Sequence, residues 1–227
     1  MRILSVDTAT KACSAAISEV GDTVDSRAME SQQYSHAENL HLMIDDLLKS
    51  NAWEPNSLSA VLVSKGPGSY TGLRIGVSAA KGLCFGLGIP LMAVSTLRLL
   101  CEDPEVQNSD TVWYCPMIDA RRNEVYTALY DRQGKIVRPV EAMILDDHPY
   151  NAILEEKKVA FFGDGSEKFR DQIKHENALF IPNVTPNAAD FSKIANQMYR
   201  DSEFEDVAYF EPFYLKDFIA GKPKKGL

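Results

Sequence analysis

The sequence predicts an α/β chain built as two domains of one plan, each a mixed sheet that opens with an antiparallel meander and gains its helices afterwards. Three observations carry this prediction. Short apolar runs rich in Val, Leu and Ile alternate with amphipathic helical stretches, the pattern of sheets covered by helices. The order strand, aspartate, strand, glycine turn, third strand occurs twice, with fourteen positions from Asp7 to Gly21 and fifteen from Asp119 to Gly134. A second echo pairs Val159–Phe162 and Gly163-Asp164-Gly165-Ser166 with Leu62–Lys65 and Gly66-Pro67-Gly68-Ser69. The polar, proline-containing stretch Cys101–Thr111 sets the expected boundary, giving domains 1–103 and 104–227.

The elements follow in order. Arg2–Val6 alternates into a buried strand ending at Asp7, Asp7-Thr8-Ala9-Thr10 turns the chain, and Cys13–Ser18 returns as a second strand, with a third after Gly21-Asp22. Asp7 then stands at a hairpin tip, where it either faces a ligand or serves as an ordinary turn former. Ser35–Lys49 is an amphipathic helix with a Ser35 cap and His36, Leu40, Met43, Ile44 and Leu47 on one face. Leu58–Val63 reads as a covered parallel strand. A glycine loop leads from it into a helix over Thr71–Leu87. Leu73, Val77, Ala80, Cys84 and Leu87 form one apolar stripe of that helix, and Ile75, Ala79, Gly82 and Gly86 a second surface of smaller residues. A helix apolar on two sides must be covered on two sides, by its own sheet and by either a neighbouring helix or another subunit. Leu91–Val94 is a short strand; Val112–Ile118 and Val125–Tyr130 open the second meander. Helices are expected over Glu167–Ile173 and Asn187–Arg200, and Lys222-Pro223-Lys224-Lys225 forms a basic tail.

Composition narrows the function. A chain of 227 residues is long enough for two cores. Its net charge of −8, from 24 basic and 32 acidic residues, argues against broad electrostatic capture of a nucleic-acid backbone. Any RNA contact is then local or made through a partner. Asp7 puts a carboxylate where a signal peptide would have its apolar core, and glycines and Pro90 interrupt the run Leu83–Val94, so a cytoplasmic protein without membrane attachment is expected. The four cysteines, Cys13, Cys84, Cys101 and Cys115, lack C-x-x-C spacing and read as buried thiols. His36 and His41 are five positions apart, not the four that would let one helix face offer both to a metal.

The stretch from Ser64 to Gly76 concentrates the chemistry. A strand, a glycine turn and a helix N-terminus offer free amides to a phosphate or carboxylate, or else make only a sharp strand-to-helix connection. The spacing is neither that of the P-loop nor G-x-G-x-x-G. Ser69, Tyr70 and Thr71 have no evident histidine and carboxylate partners for a hydrolase triad. Tyr70 beside Leu73, Arg74 and Val77 looks more like a contact surface, with aromatic and arginine anchors among small residues.

Val6-Asp7-Thr8, Ser35-His36-Ala37-Glu38-Asn39-Leu40, the run Gly66 to Gly76 and Ile118-Asp119-Ala120-Arg121-Arg122 together resemble the TsaB family of tRNA threonylcarbamoyladenosine biosynthesis proteins. Near the end, Phe213-Tyr214-Leu215-Lys216 is similar to that family's closing Tyr-Leu-Arg. The resemblance implies an actin-like ATPase (ribonuclease H-like) fold in both domains and a non-catalytic role, with no catalytic residue and no metal. The sister protein TsaD, which transfers a threonylcarbamoyl group to adenosine in tRNA, carries a metal-binding H-x-x-x-H. Thr96 and Leu100 take those places here, and neither suits iron or zinc.

The resemblance further implies pairing with TsaD, action with the ATPase TsaE, tRNA contact only through the complex, and a homodimer when TsaD is absent. The implied partner-binding residues are His36, Leu40, Met43, Ile44 and Leu47 on the first helix and Tyr70, Leu73, Arg74, Val77, Ala80 and Lys81 on the second. A nucleotide role for Asp7, Gly66, Gly68 and Asp119 is secondary. No tightly bound cofactor is expected, with ATP and magnesium held only weakly or in the complex. The alternative is an actin-like, ATP-dependent small-molecule kinase that holds magnesium and ATP between the domains with Asp7 and Asp119.

Overall fold

The computed structural model describes residues 1–30, 36–144 and 150–216, the side chain of His36 excepted. The expected Ser35 cap and basic tail lie outside the described residues. The chain runs through β1 (Arg2–Asp7), β2 (Ala12–Glu19), β3 (Asp22–Glu30), α1 (His36–Ser50), β4 (Ala60–Gly66), α2 (Tyr70–Leu87), β5 (Leu91–Ser95) and α3 (Thr96–Leu100). It continues through α4 (Pro104–Gln107), β6 (Trp113–Asp119), β7 (Glu124–Asp131), β8 (Ile136–Ile144), α5 (Asn151–Leu154), β9 (Val159–Phe162), β10 (Ala178–Ile181) and α6 (Ser192–Arg200).

The strands form two five-stranded sheets, ordered β3-β2-β1-β4-β5 and β10-β9-β6-β7-β8. In the first, β1 and β2 pair antiparallel, as do β2 and β3, while β1, β4 and β5 run parallel. The second repeats this: β6, β7 and β8 form the antiparallel meander, and β6, β9 and β10 run parallel. The duplication read from the two aspartate-to-glycine intervals is thus a duplication of sheet topology. Two local expectations differ. Glu167–Ile173 contributes only a 3-10 turn over Ser166–Lys168, and the last helix begins with a 3-10 turn over Ala188–Phe191 before α6.

Each sheet is covered on both faces, which explains why β1 and β4 read as near-continuous apolar runs. Leu4, Val6, Cys13, Ile17, Val61 and Val63 pack against Leu40, Ile44 and Leu47 of α1 and Val77, Ala80 and Cys84 of α2. On the opposite face Ile3, Ala60, Leu62 and Met92 meet Ala188, Phe191, Ala195 and Met198. Residues 188–198 therefore return to the first sheet. The stretch Cys101–Thr111 is also more than a linker, because Cys101 and Val106 lie in the core of the second sheet. Between the sheets, α3 is buried on two sides: Leu99 joins the first sheet's core, and Leu97 and Leu100 join the second. All four cysteines are free and buried.

Candidate functional site

The glycine loop is shaped by the first hairpin. Ser69 caps α2, its hydroxyl accepting from the Gly72 amide at 3.2 Å. The Ser69 amide itself donates to the Ala9 carbonyl at 2.7 Å, and the Thr8 hydroxyl donates to the Gly72 carbonyl at 2.7 Å. A Cβ at Gly68 would lie 2.3 Å from the Ala9 oxygen, and one at Gly72 would lie 2.0 Å from the Thr8 oxygen. Glycine at these two positions admits the turn between β1 and β2, so an amide that a phosphate cradle would use is held by the chain itself. Gly66 is buried beneath Phe213, whose amide donates to the Lys65 carbonyl at 2.7 Å.

The two aspartates related by the duplication sit in different surroundings. Asp7 is wholly buried, with neither carboxylate oxygen hydrogen-bonded. Burial pushes its carboxyl up to about 7, against smaller opposing effects of Ser64 and the Ala9 amide. Asp119 is exposed and paired: its Oδ1 takes Lys168 Nζ at 2.5 Å and the Arg121 amide at 2.6 Å. Its amide donates to Asp164 Oδ1 at 2.8 Å. Lys168 also donates to the carbonyls of Arg122 at 2.8 Å and Glu124 at 3.2 Å, pinning the turn between β6 and β7. Burial pushes the Asp164 carboxyl up, against smaller opposing effects of the Asp119 amide and of the Lys11 and Lys168 charges.

The proposed partner residues on the helices divide into two groups. Leu40, Ile44, Leu47, Val77 and Ala80 are interior, packed in the first sheet's core, and Leu73 is equally buried beside Gly66. Turning out the five larger ones would cost on the order of 10 kcal/mol, comparable with the stability of a whole domain. Val77 and its stripe are therefore core, which corrects the expectation that this stripe meets a partner. Met43 is partly buried against the same core. His36 lies at the start of α1, its side chain outside the described residues. Arg74 is exposed, and Tyr70 and Lys81 are half-buried.

The surface left open is the second one, of smaller residues. Ala37 and His41 of α1 with Arg74, Ile75, Ser78, Ala79, Gly82 and Leu83 of α2 line a groove of about 530 Å³. A Cβ at Gly82 or Gly86 would meet nothing within 4 Å. Phe85 and Leu42 stand 85% and 66% exposed on the same pair of helices. Sequence periodicity identifies both surfaces of α2, and the structure leaves the one bearing Ile75, Ala79 and Gly82 lining this groove.

The other side of α2 carries the C-terminal segment. Glu205 bridges to Leu91 at the edge of β5, and Val207 and Phe210 pack on the first core. Lys81 Nζ donates to the carbonyls of Ala208 at 3.3 Å and Phe210 at 2.8 Å. Farther along, Arg74 Nε donates to the Tyr214 hydroxyl at 3.3 Å and lies 4.3 Å from the Tyr70 ring centroid. The Tyr70 and Tyr214 rings are 4.8 Å apart. Lys216 then pairs with Glu124 and lies 5.6 Å from the Tyr126 ring, on β7 of the second sheet.

Thr96 and Leu100, which the resemblance sets against the TsaD histidines, are both buried in α3, and Leu100 packs into the second core. Among the described residues no group of three or more His, Cys, Asp or Glu lies together in a way that could hold a metal. No helix among them is long and apolar enough to cross a membrane.

Comparison with known proteins agrees with this geometry. Residues 28–223 match the family described as "TsaD: tRNA N6-adenosine threonylcarbamoyltransferase". The chain is 32% identical over 233 aligned positions to the tRNA threonylcarbamoyladenosine biosynthesis protein TsaB of Escherichia coli, covering 100% of this chain and 99% of that protein. A crystal structure of a Pseudomonas aeruginosa protein described as similar to peptidase YEAZ superposes with a TM-score of 0.83 at 25% identity, covering 95% and 99% of the two chains. The activator of 2-hydroxyisocaproyl-CoA dehydratase from Clostridium difficile shares the fold at a TM-score of 0.52 and 11% identity, over 89% and 98%. The fold is thus the duplicated actin-like ATPase, ribonuclease H-like plan that the resemblance implied. With full-length likeness to TsaB inside the wider group described by TsaD, the chain belongs to the TsaB family of tRNA threonylcarbamoyladenosine biosynthesis proteins.

Proposed function

We propose that the chain is a scaffold and activating subunit, not catalytic by itself, of the cytoplasmic assembly that transfers a threonylcarbamoyl group to adenosine in tRNA. In this reading it pairs with TsaD through the groove between α1 and α2, acts with TsaE, meets tRNA through the complex, and forms a homodimer through the same groove when alone. The observation that carries it is the open groove itself, where a Cβ at Gly82 would meet nothing within 4 Å among the described residues, which leaves room for a helix to approach closely. Family membership supplies the partner, and the net charge of −8 favours tRNA contact through a complex.

Two features favour a chain with at most weak affinity for magnesium and ATP. Lys168 already neutralises Asp119, and Asp7 is buried beneath the turn that the glycine loop admits. An interdomain kinase would need both carboxylates available to the metal. Titration calorimetry with magnesium and ATP separates the readings: no tight binding is expected, and tight binding followed by phosphate transfer would sink the scaffold reading. For the groove, Gly82→Arg fills open space in the free chain and replaces a poor helix former. At concentrations too low for the homodimer it should leave the melting temperature unchanged or higher, while weakening association with TsaD about a hundredfold or more. Undiminished co-elution of the variant with TsaD on gel filtration would place the interface elsewhere.

A further inference from the structure

We propose that the C-terminal segment Glu205–Lys216 acts as a latch that holds the docking face in its binding geometry, with Tyr214 as the positioning residue; this rests on the α1–α2 groove being the docking face. Arg74 lines that groove and is a long side chain with many rotamers. It is held by two aromatic residues at once, lying 4.3 Å from the Tyr70 ring centroid and donating to the Tyr214 hydroxyl. Tyr70, at the first position of α2, is in turn packed against the Tyr214 ring at 4.8 Å. One side chain from far along the sequence thus fixes both Arg74 and Tyr70.

The segment is anchored on both sides of this contact. Upstream, Phe213 donates to Lys65, and Lys81 clasps the carbonyls of Ala208 and Phe210. Downstream, Lys216 pairs with Glu124 and lies over Tyr126, both on the second sheet. Glu124 also closes the turn pinned by Lys168. The latch therefore links the docking face to the position of the second sheet, and a partner that binds the ordered face does not have to immobilise Arg74 and Tyr70 itself.

The test measures binding of the full chain to the TsaD protein of the same organism by titration calorimetry, with amide exchange followed over residues 205–214. Tyr214→Ala should weaken binding about tenfold and speed exchange in the segment, because two side chains must then be ordered on association. Tyr214→Phe keeps the ring on Tyr70 and loses the hydroxyl that accepts from Arg74, so its loss should be smaller, about threefold. Glu124→Gln should weaken binding in the same direction, and its effect should vanish in the Tyr214→Ala background, since both act through one segment. Faster exchange in Tyr214→Ala with wild-type affinity, while Gly82→Arg fails to bind, would overturn the latch and leave the docking face standing. Wild-type binding by Gly82→Arg as well would remove both.

Discussion

Asp7 is a carboxyl that the fold holds out of water. It stands at the end of β1 as its place before a turn requires, yet it is buried with no hydrogen-bond partner. Its carboxyl rises from 3.8 in the unfolded chain to about 7 in the fold. The sign follows from linkage: the stability this residue contributes is complete below pH 3.8 and is lost as pH rises to about 7, because the unfolded chain releases the proton first. The loss is about 4 kcal/mol at most. Asp7→Asn carries no such charge. It should melt above the wild type at pH 8, with the difference shrinking steadily towards pH 4, as followed by circular dichroism across that range. A constant difference at every pH would show that Asp7 keeps its ordinary titration.

At the scale of the element, α2 places glycines for two unrelated purposes. Gly72 and Gly76, in its first half, face the chain's own hairpin, and Gly82 and Gly86, in its second half, face open space among the described residues. Alanine substitutions should therefore have opposite signs. Gly72→Ala drives a Cβ to within 2.0 Å of a backbone oxygen, and the hairpin must retreat from the Ser69 amide. A loss of about 1–3 kcal/mol is expected from such overpacking, outweighing the gain in helix propensity of about 1 kcal/mol. Gly82→Ala meets nothing and should gain about 1 kcal/mol. Urea midpoints of the two variants against the wild type measure both. The helical period identified two surfaces on α2, but a period reports only that residues share a face, and the sheet decides which face is covered. For this reason Val77 and Ala80 became core and Leu73 was buried, while Ser78, Gly82 and Phe85 became the candidate docking ridge.

For the whole molecule, the two sheets are joined by sharing rather than by a linker. Helix α3 contributes to both cores, and Phe191 with α6 closes the inner face of the first sheet from the far end of the chain. Phe191→Ala should cost about 3–5 kcal/mol and lower the single melting transition of the whole protein, as measured by calorimetry. A second, unshifted transition would mean that the sheets melt separately. The strands, the main helices, the duplication and the family were legible in the sequence, because apolar alternation, turn residues and the run from Gly66 to Gly76 are local and specific. Local sequence determined which elements form and in what order. Tertiary structure alone decided what covers each face: the hairpin that fills the glycine loop, the lysine that holds Asp119, the burial of Asp7 and the latch of Tyr214 on Arg74. Each of these joins residues from 49 to 140 positions apart or depends on packing from several elements at once, and no pattern within one element records who its neighbour will be.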